Sequence, residues 1–157
     1  MKKYIPLIIL LLAIFVSSSQ TYEQQSIVPT LQEYFPNEPF EPLLSQLHFD
    51  YYGMEISVDT RGYYYFLEFL IRKATHFITF GAIGLAIYLA LPRFKHRPLI
   101  SIVMTFVFAT IDEAHQHFTS GRSASFQDVL LDTLGAITFL VVFICIKKLI
   151  RKKSTKA

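Results

Sequence analysis

The sequence predicts an all-α membrane protein, a bundle of four transmembrane helices with a polar extracellular connector between the first two. Of its 157 residues, 52% are hydrophobic and only 17% are charged, a balance typical of membrane proteins. The apolar residues form four runs, which we predict to be the spans: residues 4–19, 72–91, 99–118 and 127–146. The last three each have about 20 residues, enough for a helix to cross a hydrocarbon core about 30 Å thick.

The first run is the weakest of the four. Residues 4–19 have a short apolar core, two lysines precede this core, and the polar sequence SSS follows it. The same features mark a cleaved signal peptide. The residues alone therefore leave both a transmembrane helix and a signal peptide open.

Residues 20–65 form the one long polar connector, which is rich in Glu, Gln and Pro. Its first half predicts short helical turns interrupted by prolines, and the alternating segment between Gly53 and Gly62 is compatible with a small hairpin. The connector is long enough to cover the outer end of the bundle but too short to count as a domain of its own. We therefore interpret residues 1–157 as a single membrane domain.

The distribution of basic residues predicts the orientation. Eleven of the fifteen lysines and arginines lie in three places, the N-terminus, the short connector 93–97 and the tail 147–157, where none of the twelve acidic residues lies. These places are alternate ends of the spans, and the positive-inside rule makes their common side cytoplasmic. We therefore predict a multi-pass cell-membrane protein with both termini in the cytoplasm. The net charge of +3 then reflects orientation rather than nucleic-acid binding.

We predict no cofactor and no metal ion. Cys145 is the single cysteine, so neither an intrachain disulfide nor a zinc knuckle can be proposed. His115 and His117 lie in DEAHQH, which is not the HExxH zinc pattern, and we interpret them as interfacial side chains. There is no glycine-rich phosphate loop.

Small residues on the second and fourth spans predict close packing of these two helices. Gly81 and Gly84 lie on the second span, and Gly135 with Ala136 lies on the fourth. Side chains this small let two helix backbones approach each other closely in a membrane.

Ionisable residues of three spans are expected to lie at one depth, just beneath the outer surface. A third span that begins at residue 99 must continue to about residue 118, which places Asp112 and Glu113 about 8 to 9 Å below its outer end. Residues three or four apart share a helix face, and inward-facing pairs avoid the roughly 2.5 to 3.5 kcal/mol that a charge facing lipid costs at mid-membrane. The predicted ligand-binding cluster consists of Lys73, His76, Asp112, Glu113, Gln116, Arg122, Asp128 and Asp132.

Arg122 is the residue of this cluster best suited to bind an anion. Gly121 permits a tight turn, which can bring Arg122 back over the other members. A guanidinium holds a carboxylate or a phosphate through two parallel hydrogen bonds.

Several of these charges also have a structural interpretation. Asp128 resembles the last member of a capping box at the start of the fourth helix, so capping and function are equal alternatives for it. Glu68 and Arg72, four residues apart, are interpreted as a surface pair. Asp112 and Glu113 are different, because two acids at membrane depth near the electronegative end of a helix gain little from its dipole. We favour a functional role for these two, with a purely structural network as the alternative.

Three stretches of the chain resemble the VanZ-like family of small bacterial membrane proteins. EFLIRKATHFITF, followed by DEAHQHFTSGRSASFQDVLLDTLG, has the family pattern of Lys and His on one helix, then DE, Q and GR, then D before a Gly. SSSQTYEQQS is similar to the usual end of the family's first span, so the matches extend over nearly the whole chain. The resemblance implicates Lys73, His76, Asp112, Glu113, Gln116, Gly121, Arg122, Asp128 and Gly135.

The resemblance also bears on the number of spans and on function. It implies that residues 4–19 are retained as a transmembrane helix, which favours four spans. The family is named after a member associated with resistance to the glycopeptide antibiotic teicoplanin. Two positions depart from its pattern: Phe80 stands where tyrosine is common, and Asp132 where asparagine is usual, which adds a titratable carboxylate to the cluster.

Three functions fit these residues. The first is a non-enzymatic envelope protein whose cluster, through Arg122 and Lys73, binds membrane lipids or lipid-linked envelope precursors and so alters glycopeptide access. The second is a membrane enzyme acting on lipid-linked substrates, with Asp112 or Glu113 as general base and His76 as its partner. It ranks second because no nucleophile motif supports it. A proton- or ion-coupled transporter ranks third, because four spans without an inverted repeat do not make a complete monomeric transporter.

Overall fold

The computed structural model describes residues 2–119 and 125–154 of the chain, and these residues are 76% helical. Two short 3-10 turns, at Lys2–Tyr4 and Glu23–Gln25, accompany the helices. In chain order the elements are α1 (Ile5–Ser18), α2 (Val28–Tyr34), α3 (Glu41–Leu44), β1 (Phe49–Tyr51), β2 (Met54–Ile56), α4 (Val58–Arg61), α5 (Tyr63–Ala90), α6 (Arg97–His117) and α7 (Phe126–Ser154).

Three helices, α5, α6 and α7, are long and apolar enough to cross a membrane. They confirm that each of the three later apolar runs lies in a long helix that could span a membrane. Helix α1 has 14 residues, which at about 1.5 Å per residue cover about 21 Å. Because α1 is shorter than a hydrocarbon core of about 30 Å, the membrane span expected at residues 4–19 stays a prediction.

Helix α5 begins well before residue 72, where the apolar run predicted its start. The chain turns at Gly62, whose φ of +79° is a backbone conformation that glycine adopts without strain. The aromatic side chains of the first turns of α5 are then buried against residues of β2 and α4. Tertiary packing thus extends this helix beyond the apolar run. Helix α7 is also longer than predicted, because it continues to Ser154 instead of ending near residue 146.

Helices α5 and α7 pack closely through small residues. A methyl group on Gly135 would lie 2.2 Å from the carbonyl oxygen of Phe77, and one on Gly84 would lie 2.6 Å from Cβ of Ala136. Helix α6 joins this contact, because the hydroxyl of Ser101 donates to the carbonyl oxygen of Gly84 at 2.5 Å. The predicted close packing is confirmed, and it leaves no room for larger side chains at these positions.

Helix α1 runs antiparallel to α5. Nζ of Lys3, just before α1, donates to the carbonyl oxygen of Ala90 at the end of α5, at 2.7 Å. Along its length α1 packs leucine side chains against a buried cluster that includes Phe80, Ile83 and Ile87. The basic start of the chain therefore lies beside the end of α5, where a cation suits the negative end of the helix.

The connector folds into a cap, residues 20–62, at the N-terminal end of α5. Strands β1 and β2 are antiparallel, with Phe49 opposite Ile56. Tyr52 and Gly53 both have positive φ, 57° and 72°, as a two-residue type I′ hairpin turn requires. A small hairpin is therefore present, but its turn is at Tyr52 and Gly53, so only β2 lies in the segment between Gly53 and Gly62 that the sequence suggested.

Candidate functional site

The cap, α5 and α7 meet at a buried ion pair. Lys73 of α5 contacts Asp128, which lies in the first turn of α7. The hairpin tip adds two tyrosines: Tyr51 donates to Oδ1 of Asp128 at 2.6 Å, and Tyr52 donates to Oδ2 at 2.8 Å. Nζ of Lys73 also donates to the Tyr52 hydroxyl at 2.6 Å. Both oxygens of Asp128 are therefore engaged, and this pairing accounts for the carboxylate better than the capping alternative does.

Both hairpin tyrosines are held in their neutral form. Burial, and next the Asp128 carboxylate, raises the pKa of Tyr51 and of Tyr52 well above the ordinary value. A neutral phenol keeps its proton, so both hydroxyls stay donors to Asp128. Nζ of Lys73 lies 4.9 and 5.0 Å from the two ring centroids, within cation–π range. Together these contacts fix the hairpin tip on the bundle.

A second polar pair lies one helical turn further from the cap. Nδ1 of His76 is 3.5 Å from Oδ2 of Asp132, and Asp132 is only 2% exposed. Among the described residues, Oδ1 of Asp132 is buried without a hydrogen-bond partner. On the same helix as His76, Phe80 stacks against the imidazole with ring centroids 6.1 Å apart. The imidazole is therefore oriented by a carboxylate on one side and an aromatic ring on another.

The adjacent acids of α6 have different partners. Glu113 accepts a hydrogen bond from the backbone N–H of Ser125 at 2.5 Å, whereas Asp112 accepts from the Gln116 amide at 2.6 Å. Gln116 also donates to the Ser18 hydroxyl at 3.4 Å, which ties α6 to the end of α1. Both acids and Gln116 are buried. Glu113 thus belongs to the α6–α7 side of the site, and Asp112 to the α1–α6 contact.

A cavity of about 550 Å³ lies between α1, the cap and the three long helices. We call it the cap-end cavity. Asp132 contacts His76 from outside the wall, and Asp112 lines a separate apolar cavity of about 220 Å³ between α1 and α6. Arg122 and Gly121 lie outside the described residues. Five members of the predicted cluster line the cap-end cavity: Lys73, His76, Glu113, Gln116 and Asp128.

The predicted pair of Glu68 with Arg72 is formed, but its interpretation as a surface pair is wrong, and sequence reasoning missed the other partners of Glu68. Glu68 is 1% exposed and accepts hydrogen bonds from the Tyr22 hydroxyl and the Ile27 backbone N–H, each at 2.7 Å, and from Arg72 at 3.1 Å. Burial, and next the hydrogen bond to Glu68, raises the pKa of Tyr22 to about 12, so this phenol also stays a donor. The signal that could have indicated burial is a lone glutamate inside the aromatic stretch YYYFLEFL.

Gln25 of the cap bridges α1 and α5. Its Nε2 donates to the carbonyl oxygen and to the hydroxyl of Ser17, both at 2.7 Å. Its Oε1 accepts from Arg72 at 3.1 Å. All three residues line the cap-end cavity, so the bridge crosses the cavity at its cap side. No motif indicates this contact, because it joins residues far apart in the chain.

Within the described ranges 2–119 and 125–154, no group of three or more His, Cys, Asp or Glu side chains is placed to hold a metal ion. His115 stacks on Phe15 with ring centroids 5.0 Å apart, and its Nε2 is 3.1 Å from the hydroxyl of Ser19. This histidine therefore belongs to the contact between α1 and α6.

Comparison with known proteins places the chain in one family. A family model described as VanZ/LLP1 matches residues 4–148. The matched range runs from the start of α1 into the last turns of α7 and includes every residue that lines the cap-end cavity. No curated protein and no solved structure matches the chain.

Proposed function

The chain belongs to the VanZ/LLP1 family, and from this premise we propose that it binds the headgroup of a lipid or lipid-linked envelope precursor at the outer face of the cell membrane. The observation that carries the proposal is the cap-end cavity, whose volume of about 550 Å³ lies within the usual range of about 300 to 1,000 Å³ for small-ligand sites. Binding alone, without chemistry on the ligand, is the function proposed.

The charges of the wall favour a ligand that carries both an acidic and a polar or basic group. Arg72 and Lys73 line the cavity together with Glu113 and Asp128. A bare anion near the two cations would also face the two carboxylates. A phosphate joined to hydroxyls or an amine can instead accept from the cations and donate to the carboxylates. Such a combination is typical of phospholipid and lipid-linked headgroups.

The proposed orientation has both termini in the cytoplasm and the cap outside. Its support is the position of the basic residues: Lys3 lies beside the end of α5, and the connector 93–97 and the tail follow at the same end. The positive-inside rule makes this end cytoplasmic. In this orientation α1 also spans the membrane, and the bilayer thins locally to match this shorter helix.

Binding is tested with purified protein and a long-chain phosphatidylglycerol in mixed micelles. Lys73→Met removes the ammonium group and keeps a chain of similar length, so we expect the Kd to rise at least about tenfold, or about 1.4 kcal/mol. Lys95→Met, at an exposed lysine of the 93–97 connector, is the matched control and should bind like the wild type. Equal affinity of wild type and a folded Lys73→Met protein would contradict the proposal.

We further propose that occupancy of this site lowers susceptibility to teicoplanin by altering glycopeptide access. The support is the family resemblance together with Arg122, whose guanidinium suits a phosphate. In a host lacking the gene, wild type should protect, Arg122→Ala should not, and Glu113→Gln should still protect at equal membrane levels. Loss of protection in Glu113→Gln with unchanged phosphatidylglycerol binding would instead point to acid–base chemistry.

A membrane-embedded enzyme is the second candidate function. The observation that favours it is that Glu113 and His76 line the same cavity while Asp132 orients the imidazole from behind. Glu113 would then act as general base on a lipid-linked substrate, with His76 as its partner. Turnover of a labelled lipid-linked substrate by wild type and its loss in Glu113→Gln would support this function. No product, with or without added divalent cations, would exclude it for that substrate.

A further inference from the structure

The cap-end cavity has an edge that faces the side of the bundle rather than its end. Ala13 of α1 and Thr75 of α5 both line the cavity, and both are exposed. Ile71, one turn before Thr75, also lines it and is 37% exposed. The cavity therefore reaches the bundle surface between α1 and α5.

This opening lies at a depth where lipid chains surround the protein. Thr75 precedes Ala90, the last residue of α5, by about four helical turns, or about 22 Å. If α5 crosses a hydrocarbon core about 30 Å thick, Thr75 lies roughly 8 Å inside its boundary. In the proposed orientation, this depth places the surface around Ala13 and Thr75 against acyl chains rather than water.

The opening is bounded above and below by contacts between the same two helices. On the cap side, Gln25 joins Ser17 of α1 to Arg72 of α5. Toward the basic end, leucines of α1 pack against the buried cluster that contains Phe80 and Ile83. Between these two contacts two exposed positions that line the cavity, Ala13 of α1 and Thr75 of α5, carry small side chains, and we call the gap between them the lateral window.

We infer that this window admits an outer-leaflet lipid sideways, so that a phosphate-bearing headgroup enters the polar part of the cavity while its acyl chain stays in the bilayer. The inference rests on the proposed headgroup binding and adds the class of ligand, an amphiphile, and its route. A polar wall of Lys73, His76 and Glu113 behind an apolar edge of Ala13, Ile14 and Ile71 matches the two ends of such a molecule. The lateral window lets the headgroup move from the headgroup layer into the cavity, where polar side chains pair with it, without passing through hydrocarbon.

The test places an indole in the window. Ala13→Trp narrows the opening from the α1 side, and Leu12→Trp adds the same side chain at a neighbouring position that is 59% exposed and does not line the cavity. The chain has no tryptophan, so each indole also reports by fluorescence that the variant is folded. The probes are a long-chain phosphatidylglycerol, a long-chain isoprenoid phosphate and the water-soluble headgroup glycerol phosphate.

We expect Ala13→Trp to weaken binding of at least one amphiphile about tenfold or more, with glycerol phosphate bound as in the wild type and Leu12→Trp without effect. The amphiphile that is affected identifies the source of the phosphate. Amphiphile binding that is unchanged, or weakened no more than glycerol phosphate binding, would overturn the lateral route while headgroup binding stands. Binding of none of the three probes by the wild type would instead remove the proposed function itself.

Discussion

The two ends of the bundle are held together by different kinds of contact. Toward the basic end, α5, α6 and α7 approach one another closely at glycines, and Ser101 and Arg97 of α6 donate directly to backbone carbonyls of α5, those of Gly84 and Tyr88. At the cap end the same helices are joined by side-chain ion pairs and hydrogen bonds, of which Lys73 with Asp128 is one. The first kind of contact requires the backbones to touch, whereas the second spans a gap.

This difference explains where the cavity lies. Small residues allow close approach and leave no space for a ligand, so the glycine contacts make the basic end a solid core. Long polar side chains such as those of Lys73 and Arg72 hold helices together at a distance, and the space they frame is the cap-end cavity. The pairing that stabilises the cap end and the polarity that a ligand would meet therefore come from the same residues.

The largest expected effect comes from removing the buried carboxylate of Glu68 at the cap end. Glu68→Ala leaves Arg72 without its only carboxylate partner among the described residues and frees two hydrogen-bond donors of the cap. Because Arg72 is 23% exposed, we expect a loss near the lower end of the range for a broken buried pair, about 3 kcal/mol. Unfolding monitored in detergent measures it. Glu33→Ala, at an exposed glutamate of α2, is the control, and a loss no larger than the control's would contradict the assignment.

Disrupting the close packing of α5 and α7 should lower the free energy of unfolding somewhat less than Glu68→Ala does. Gly135→Ala places a methyl group 2.2 Å from the carbonyl oxygen of Phe77, so α5 and α7 must separate. We expect a loss of about 2 kcal/mol, as for other overpacked cores. Thermal unfolding compares it with Leu134→Met, a change at an exposed neighbour. An unchanged Tm in Gly135→Ala would mean that the helices can move apart freely.

Weakening the contact between the hairpin tip and Asp128 should lower the free energy of unfolding by a smaller amount. Tyr51→Phe removes the hydrogen bond to Oδ1 of Asp128, but Lys73 still contacts that oxygen. We therefore expect a loss of about 1.5 kcal/mol, the lower value for a hydrogen bond to a charged group. A double-mutant cycle with Asp128→Asn isolates the contact, and Tyr65→Phe, at an exposed tyrosine, serves as the control. Additive losses in the cycle would show that the tip is held by other contacts.

The smallest effect is expected for an exposed pair on the cap, His48 with Glu55, which contrasts with the buried pairs of the cap end. The hydrogen bond to Glu55 raises the pKa of His48 above its ordinary value of 6.5. The pair stabilises the fold fully below that value, and this stability is lost as the pH rises through the folded pKa. From about pH 6 to about pH 8, the Tm of wild type should fall slightly more than that of His48→Gln. Salt should reduce the difference. An equal change in both proteins would rule out the linkage.

The existence of the three long helices was predictable, because the length of an apolar run and the helical period are both local properties of the chain. The helical period also predicts that Lys73 and His76 share a face of α5, and both line the cap-end cavity. The early start of α5 was not predictable in this way, because tyrosines lower the apolar score while packing of the cap holds them helical.

The contacts of the cap were beyond the reach of sequence reasoning for a different reason. Tyr22 meets Glu68 across 46 positions of the chain, and Tyr52 meets Asp128 across 76. No local period links such partners, so only the fold brings them together. Arg122, the residue that the sequence favoured for anion binding, lies outside the described residues, so its role stays a prediction.

The separation between the hairpin tip and Asp128 also sets an order in time. At about 5 to 20 residues per second, a ribosome needs roughly 4 to 15 s to pass from Tyr52 to Asp128. Until Asp128 has been synthesised, the two tyrosine hydroxyls lack their acceptor, and so does the ammonium group of Lys73 from the time that it is made. The cap therefore reaches its final position on the bundle only after residue 128 has been synthesised, and a chain that stalls before that residue leaves Lys73 without its counter-charge.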